Sequence, residues 1–379
     1  MIYADYNGSA PLLPEVKAYL IERLNGPFAN PNAIHSLGSK ILKGMEECRK
    51  KCAQVLGTTP NKIIFNSGSS EGITSVFNSV LQSTNRKKIL ISSVEHSAVL
   101  NVAEYYKNHG YEIVIIPCNE NGILKIDFLN DYVEKNHQDI ALVSIMAANN
   151  ETGVIMPYLE ISKICKKFGL VYFSDTTQFI GKTEFNFDEM GFDFAVVAGH
   201  KLGALTGTGI LLVRDFKNFK PLIHGGGQEK GLRGGTQNYI GNETLTVSLL
   251  EFNKKKIMLN ELRANRINFE KKIKNEFPEV VIIGENAERL AGTTLIGYPT
   301  LHGQAVQIEL ESSDVFVTTS SACSDNEPAT SKVLKAMGIN DNIGRSVIRI
   351  SLSVENSKEN YEKIFEALKK AYMKFIKKV

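Results

Sequence analysis

Short β-rich runs alternate with stretches of helical period along the chain as far as Val213. The runs are Lys88 to Ser92, Glu112 to Pro117, Ala141 to Ala147, Leu170 to Ser174, Phe194 to Ala198 and Gly209 to Val213. Strands separated by helices pair most readily in parallel, so the order predicts an α/β fold around a mainly parallel sheet. Between the runs, Glu71 to Gln82 sets Ile73, Val76, Phe77, Val80 and Leu81 on one helical face, which predicts a helix packed on that sheet.

The pattern changes after about residue 250. Glu251 to Phe277 is charged, with Met258, Leu262, Phe269, Ile273 and Phe277 near four-residue spacing, and reads as one long helix leaving one domain for another. The boundary is set near Asn253, giving a large domain over 1–252 and a small α+β domain over 253–379. In the latter, Val280 to Gly284, Thr293 to Gly297 and Ser346 to Ser351 read as strands, and Lys358 to Lys378 as a closing helix. The lysines of that helix oppose Tyr361, Ile364, Phe365, Leu368, Tyr372, Phe375 and Ile376, as expected of a solvated helix back.

Composition narrows the function classes. With 43% hydrophobic and 22% charged residues in 379, a large core can form. A net charge of +3 gives no field suited to nucleic acid, so no direct nucleic-acid binding is expected. The start, Met1-Ile2-Tyr3-Ala4-Asp5, shows no signal or transit pattern, and no apolar run approaches the roughly 20 residues of a membrane span. Five cysteines are scattered without a Cys-x-x-Cys pair, as suits reduced thiols. A cytoplasmic protein with no membrane partner and no metal site is the expectation.

Ligands of open α/β sheets bind beyond the carboxyl ends of the strands. The residues there are Glu95-His96, Asn149-Asn150-Glu151, Asp175-Thr176-Thr177-Gln178 and Gly199-His200-Lys201. Helix capping explains one such cluster, but four in succession predict a shared site. Ser67-Gly68-Ser69-Ser70 opens the helix already described, and its amides and hydroxyls suit either a plain N-cap or a bound phosphate. Nucleotide motifs do not fit. Gly181-Lys182-Thr183 imitates a P-loop end, yet Thr176 stands where the first glycine is required, and no Gly-x-Gly-x-x-Gly joins a first strand to a helix. A phosphate pocket with an acid at one strand end and a lysine at the next suits pyridoxal 5'-phosphate. Lys201 is available for a Schiff base, Asp175 for the pyridine nitrogen and His96 for stacking.

Ten motifs in order then carry a resemblance. They are Asp5-Tyr6, Asn30-Pro31 with His35, Ser67 to Glu71, Glu95-His96, Asn149 to Gly153, Asp175 to Gln178, Gly199-His200-Lys201, Arg233 to Thr236, Ser320 to Cys323, and Arg349. The chain resembles the cysteine desulfurases of the class V aminotransferase-like family over nearly its whole length. The resemblance implies the pyridoxal-phosphate transferase fold (fold type I), with a seven-stranded large-domain sheet and an extreme N-terminal segment packed on the small domain.

It also implies Lys201 as the cofactor's lysine, Asp175 at the ring nitrogen, and His96 stacked on the ring and moving protons. Asn150 and Gln178 fall at the phenolic oxygen, and Ser69, Ser70 and His200 at the phosphate. Thr236 would complete the phosphate site of a neighbouring subunit, making a homodimer. Asn30 and Arg349 fall on the substrate side, Arg349 pairing with the substrate carboxylate. Cys323 would attack the sulfur of L-cysteine, leaving L-alanine and a persulfide for an acceptor protein, either an iron–sulfur scaffold or a sulfur carrier. The alternatives are a related lyase or aminotransferase, including selenocysteine lyase, and a scaffold without turnover.

Three departures stand out. Ala198 occupies a position where relatives usually carry a phosphate-binding Ser, the opening loop reads Asn7-Gly8-Ser9-Ala10-Pro11, and Glu327-Pro328 comes early after Cys323. Cys48, Cys52, Cys118 and Cys165 fall in regular patterns and read as structural. Of the remaining histidines, His35 is the one expected to face substrate.

Overall fold

The computed structural model describes residues 1–319 and 329–376. The strands, in chain order, are β1 (Ile2–Tyr3), β2 (Ile63–Asn66), β3 (Lys88–Ser92), β4 (Glu112–Ile116), β5 (Ile140–Ser144) and β6 (Tyr172–Ser174). They continue with β7 (Phe194–Ala198), β8 (Gly209–Val213), β9 (Val281–Ile282), β10 (Thr293–Gly297), β11 (Val315–Phe316) and β12 (Val347–Ser351). The large sheet has seven strands in the order β2-β8-β7-β6-β5-β3-β4. Only β8 runs against the rest, pairing antiparallel with both β2 and β7.

Both faces of this sheet are covered, so its strands read as near-continuous apolar runs. Alternate residues divide between two cores: Ile210 and Leu212 of β8 join one, Leu211 and Val213 the other. The helix expected over 71–82 is Ser69–Leu81, and Ile73, Val76, Phe77, Val80 and Leu81 are all buried in the second core.

A second unit is built on the three-stranded antiparallel sheet β12-β10-β9. Helices Leu259–Glu276 and Lys358–Ile376 pack together beside it, burying Phe269, Ile273, Phe365 and Leu368. Ile2 and Ala4 belong to this same core, because β1 pairs in parallel with β11.

The single helix expected from Glu251 to Phe277 is instead two. Helix Tyr239–Lys255 ends in a 3₁₀ turn, Lys256–Met258, before helix Leu259–Glu276 begins. The turn contains neither Gly nor Pro; the break comes from docking. The first helix packs on Pro14–Arg23 and Ser36–Val55, and the second on Lys358–Ile376, so the chain must change direction between them. Asn253 falls inside the first helix.

Candidate active site

Four neighbouring strands, β7, β6, β5 and β3, end on one side of the sheet, and the residues beyond them meet in a cleft of about 550 Å³. His96 follows β3, Asn150 follows β5, Asp175 and Gln178 follow β6, and His200 and Lys201 follow β7; all line it. Strand β2 delivers Ser69 and Ser70 to the same cleft at the start of helix Ser69–Leu81. Gly68 precedes them at φ +142°, a conformation that side chains disfavour. The first amides of a helix lack carbonyl partners within it, so this start offers N–H groups and hydroxyls to an anion. Thr177 Oγ1 donates to Ser69 Oγ at 2.6 Å, tying the end of β6 to the helix.

Local bonds orient the ionisable groups. Asp175 is buried and its Oδ1 accepts from the Thr177 amide at 2.9 Å. His96 caps helix Ser97–Lys107, its Nδ1 accepting from the Ala98 amide at 3.1 Å, so the neutral ring carries its proton on Nε2. Burial is the main reason its pKa falls below the usual value; Asp175 raises it and Lys201 lowers it further. His200 is shifted down as well, by burial and then by Lys201 and Lys182. Beside His96, Glu95 is fully enclosed, accepting from Ser92 Oγ at 2.5 Å and the Met146 amide at 2.8 Å. Burial pushes its carboxyl up to about 8 against those bonds, with Asp175 adding to the rise.

The N-terminal turn closes the cleft from the other side. Lys201 Nζ donates to Asn7 O at 2.8 Å and Gly8 O at 2.5 Å. Gln178 Nε2 also donates to Asn7 O, at 2.8 Å, while Asn7 Nδ2 donates to Asn150 O and Thr293 Oγ1, each at 3.1 Å. Lys182 Nζ donates to Asn7 Oδ1 at 2.6 Å and to Gln178 Oε1. Ser9 Oγ lies 3.2 Å from His200 Nδ1. From β12, Arg349 reaches the same turn: Nη2 donates to Asp5 Oδ1 at 2.6 Å and Nη1 to Asn150 O at 3.0 Å. Its buried Nε has no partner among the described residues, and the residue lines the cleft.

The sequence of the aminotransferase class-V family matches residues 2–364. The chain belongs to this family. A curated relative, the cysteine desulfurase IscS of Dictyoglomus turgidum, is 32% identical over 97% of this chain and 94% of its own length. Among solved structures, a NifS-like protein matches with TM-score 0.90 at 29% identity, covering 98% of this chain and 99% of that one. A structure described as SspA in complex with cysteine matches with TM-score 0.80 at 27% identity, over 93% and 99% of the two chains. The fold is the pyridoxal-phosphate transferase fold shared by these neighbours.

Enzymes of this family generally use pyridoxal phosphate, and the donor set suits it. The hydroxyls of Ser69 and Ser70, the buried Asp175, His96 and the Lys201 amine all line the one cleft. Ala198 is buried in the cleft wall and offers no hydroxyl.

Several expected residues stand apart. Thr236 and Asn30 are exposed and do not line this chain's cleft. Their loops adjoin each other through Asn32 Nδ2, which donates to Gln237 Oε1 at 3.3 Å. His35 does not line this chain's cleft; it caps helix Ser36–Val55, accepting from the Gly38 amide at 3.2 Å. Cys323 lies outside the described residues.

Sequence reasoning missed Asn7, Gly8 and Lys182, and gave Asp5 no role at the site. For Lys182 a signal existed: Gln178 and Lys182 are four apart in a helical turn, where the Ile180 amide bonds Thr176 O and the Thr183 amide bonds Phe179 O. Among the described residues, no group of three or more His, Cys, Asp or Glu gathers as a metal site would require, and no helix is long and apolar enough to cross a membrane.

Proposed function

We infer that this protein is a pyridoxal-phosphate-dependent cysteine desulfurase that converts L-cysteine to L-alanine and passes the sulfur, through a persulfide on Cys323, to an acceptor protein. The observation that carries this reading is the single cleft onto which Ser69, Ser70, His96, Asp175, Lys201 and Arg349 all open. The names of the curated relatives support it, as does the neighbouring structure titled as a complex with cysteine. The acceptor is an iron–sulfur scaffold or a sulfur carrier. We read the large unit as 1–252 and the small one as 253–379, and the site of action as the cytoplasm.

When bound, pyridoxal phosphate supplies an aldehyde carbon that amines attack and a ring that draws electrons from the substrate. Lys201 is the amine that holds it, Ser69, Ser70 and His200 its phosphate donors, and Asn150 and Gln178 its partners at the phenolic oxygen. Asp175 would be the acid that keeps a proton on the ring nitrogen. His96, kept neutral by its burial, would stack on the ring and move protons, accepting at Nδ1 only by giving up its bond from the Ala98 amide. Arg349 takes the substrate carboxylate, its guanidinium already oriented by Asp5 and Asn150 O, with Asn30 also assigned to the substrate side. The Cys323 thiolate attacks the sulfur of cysteine: the S–S bond forms as Cβ–Sγ breaks, and the released electron pair ends on Cβ with a proton.

Thr236 and Asn30 belong, in this reading, to the cleft of a second subunit. The exposed side chains of Ile21, Leu24, Phe28, Ile34, Leu37 and Leu42 support a homodimer, because so much apolar surface in one stretch suits an interface.

The test uses protein loaded with pyridoxal phosphate and L-cysteine. Cys323→Ser is expected to change the cofactor's absorbance on adding cysteine, yet release almost no alanine. In the parent protein a reductant-labile extra sulfur should map by mass to Cys323. Alanine production at the parent rate by Cys323→Ser would sink the desulfurase reading in favour of a lyase without an enzyme nucleophile.

A further inference from the structure

Lys182 was read in the sequence only as a false P-loop ending, and none of the functional roles above uses it. In the structure it sits between the Asn7 and Gln178 side chains, donating to an oxygen of each. Gln178 faces two partners: Lys182 at its Oε1, and Asn7 O, which accepts from its Nε2 at 2.8 Å.

An amide side chain has two orientations, and here the partners select one. A main-chain carbonyl only accepts, so the reverse orientation would set Oε1 against Asn7 O, oxygen on oxygen. Lys182 Nζ donates to Asn7 Oδ1 and to Gln178 Oε1, so the reverse orientation would replace that acceptor with an NH₂ group and leave a lysine N–H without its oxygen. Burial, with Lys201 and Arg349 close by, holds the Lys182 pKa well below the ordinary lysine value. As a neutral amine it still has two N–H bonds for the two oxygens it meets. With Oε1 turned to Lys182 and one Nε2 hydrogen on Asn7 O, the second Nε2 hydrogen remains, and Gln178 lines the cleft. Asn7 repeats the logic: its Oδ1 faces Lys182 while its Nδ2 donates to Asn150 O.

We propose that Lys182 is a positioning residue for the ring oxygen of the cofactor, turning the Gln178 amide so that an N–H rather than a carbonyl oxygen faces the cleft. This rests on the pyridoxal-phosphate reading of the site. The consequence is selective. Loss of Lys182 weakens only what depends on the phenolic oxygen, leaving the phosphate end and the Asp175 contact as they were.

The experiment is equilibrium dialysis of cofactor-free protein against pyridoxal phosphate and, separately, against its 3-deoxy analogue, which lacks that oxygen. Lys182→Met is expected to weaken binding of pyridoxal phosphate roughly three- to tenfold, the effect of one hydrogen bond, and to leave the 3-deoxy analogue unchanged. Gln178→Ala combined with Lys182→Met should bind no more weakly than Gln178→Ala alone, because the lysine acts through the glutamine. Lys182→Arg, which keeps donors at the same place, should recover most of the loss. Equal losses for both ligands, additive losses in the double variant, or a Lys182→Met protein that binds like the parent would each overturn the proposal. Parent protein that binds neither ligand would overturn the cofactor reading, and this inference with it.

Discussion

Ala198 tests the proposed function at the scale of one atom. It ends β7, buried in the cleft wall just ahead of His200 and Lys201, where the proposed function would put a hydroxyl to use on the phosphate. Ala198→Ser is expected to lower the dissociation constant for pyridoxal phosphate several-fold, since one added hydrogen bond contributes about 0.5–1.5 kcal/mol. An equal or weaker constant in dialysis would mean that another donor already serves that oxygen. Glu95 makes a second prediction at this scale. Its carboxyl is raised to about 8 in the fold, and Glu151, bonded to Ser331 Oγ, is raised to about 7, both by burial first. At these two groups the folded protein therefore holds more protons than the unfolded chain between about pH 4.5 and 8, and the stability they contribute falls as pH rises through that window. Glu95→Gln keeps the Oε1 acceptor without the charge, so its melting temperature in cofactor-free protein should fall less from pH 5 to pH 9 than the parent's. An identical pH slope would show that Glu95 titrates normally. Lys201, Asp175 and His96 were legible because each follows a strand whose run of apolar residues marks where the chain emerges. Asp5 and Asn7 were not, because β1 and the bridge from Asp5 to Ser351 bring them in, and two-residue strands leave no period to read.

Among the elements, the glycine-rich loop after β8 is held by two ion pairs. Glu229 accepts from Arg49 through both carboxylate oxygens, at 2.8 and 2.9 Å, and also from the Phe65 amide at 3.0 Å, all in the interior. Glu229 and Lys230 both take positive φ, 47° and 58°, a strained pair for side-chain-bearing residues, and this anchoring maintains it. Farther along, Arg233 forks onto Glu71 at 2.9 and 3.1 Å, joining the loop to helix Ser69–Leu81. Glu229→Ala leaves the Arg49 guanidinium buried without its main partner and should cost about 3–5 kcal/mol in denaturant unfolding. A loss below 1 kcal/mol would mean that water replaces the carboxylate. The elements read well where the period was long, as in Ser69–Leu81 and Lys358–Ile376, or where a strand was flanked by turns, as in β3, β7 and β8. Strand β2 escaped notice because Ile63-Ile64-Phe65-Asn66 is only four residues long and follows directly on a 3₁₀ turn. The break at Lys256–Met258 left no mark in the sequence either, since docking of two helices on different partners made it.

For the molecule as a whole, the exposed apolar surface around Pro14–Arg23 and the start of Ser36–Val55 is where we place the interface of the proposed homodimer. Phe28, 77% exposed, leans on Tyr239 with ring centroids 5.5 Å apart. Phe28→Asp is expected to shift sedimentation from dimer to monomer and to speed loss of pyridoxal phosphate on dialysis, because Thr236 would then no longer reach the other cleft. A dimer that persists with unchanged cofactor retention would put the interface elsewhere. The N-terminal turn has a consequence of its own. Asp5 meets Arg349, and the Asn7 amide meets Ser351 Oγ, across sequence separations of 344 residues. A ribosome adding about 5–20 residues per second takes roughly 20–70 s to cover that distance. Lys201 is added only past the midpoint of that interval, and for the rest of it the nascent chain has no Arg349, so under the proposed function a growing polypeptide cannot begin turnover before its small-domain sheet is made.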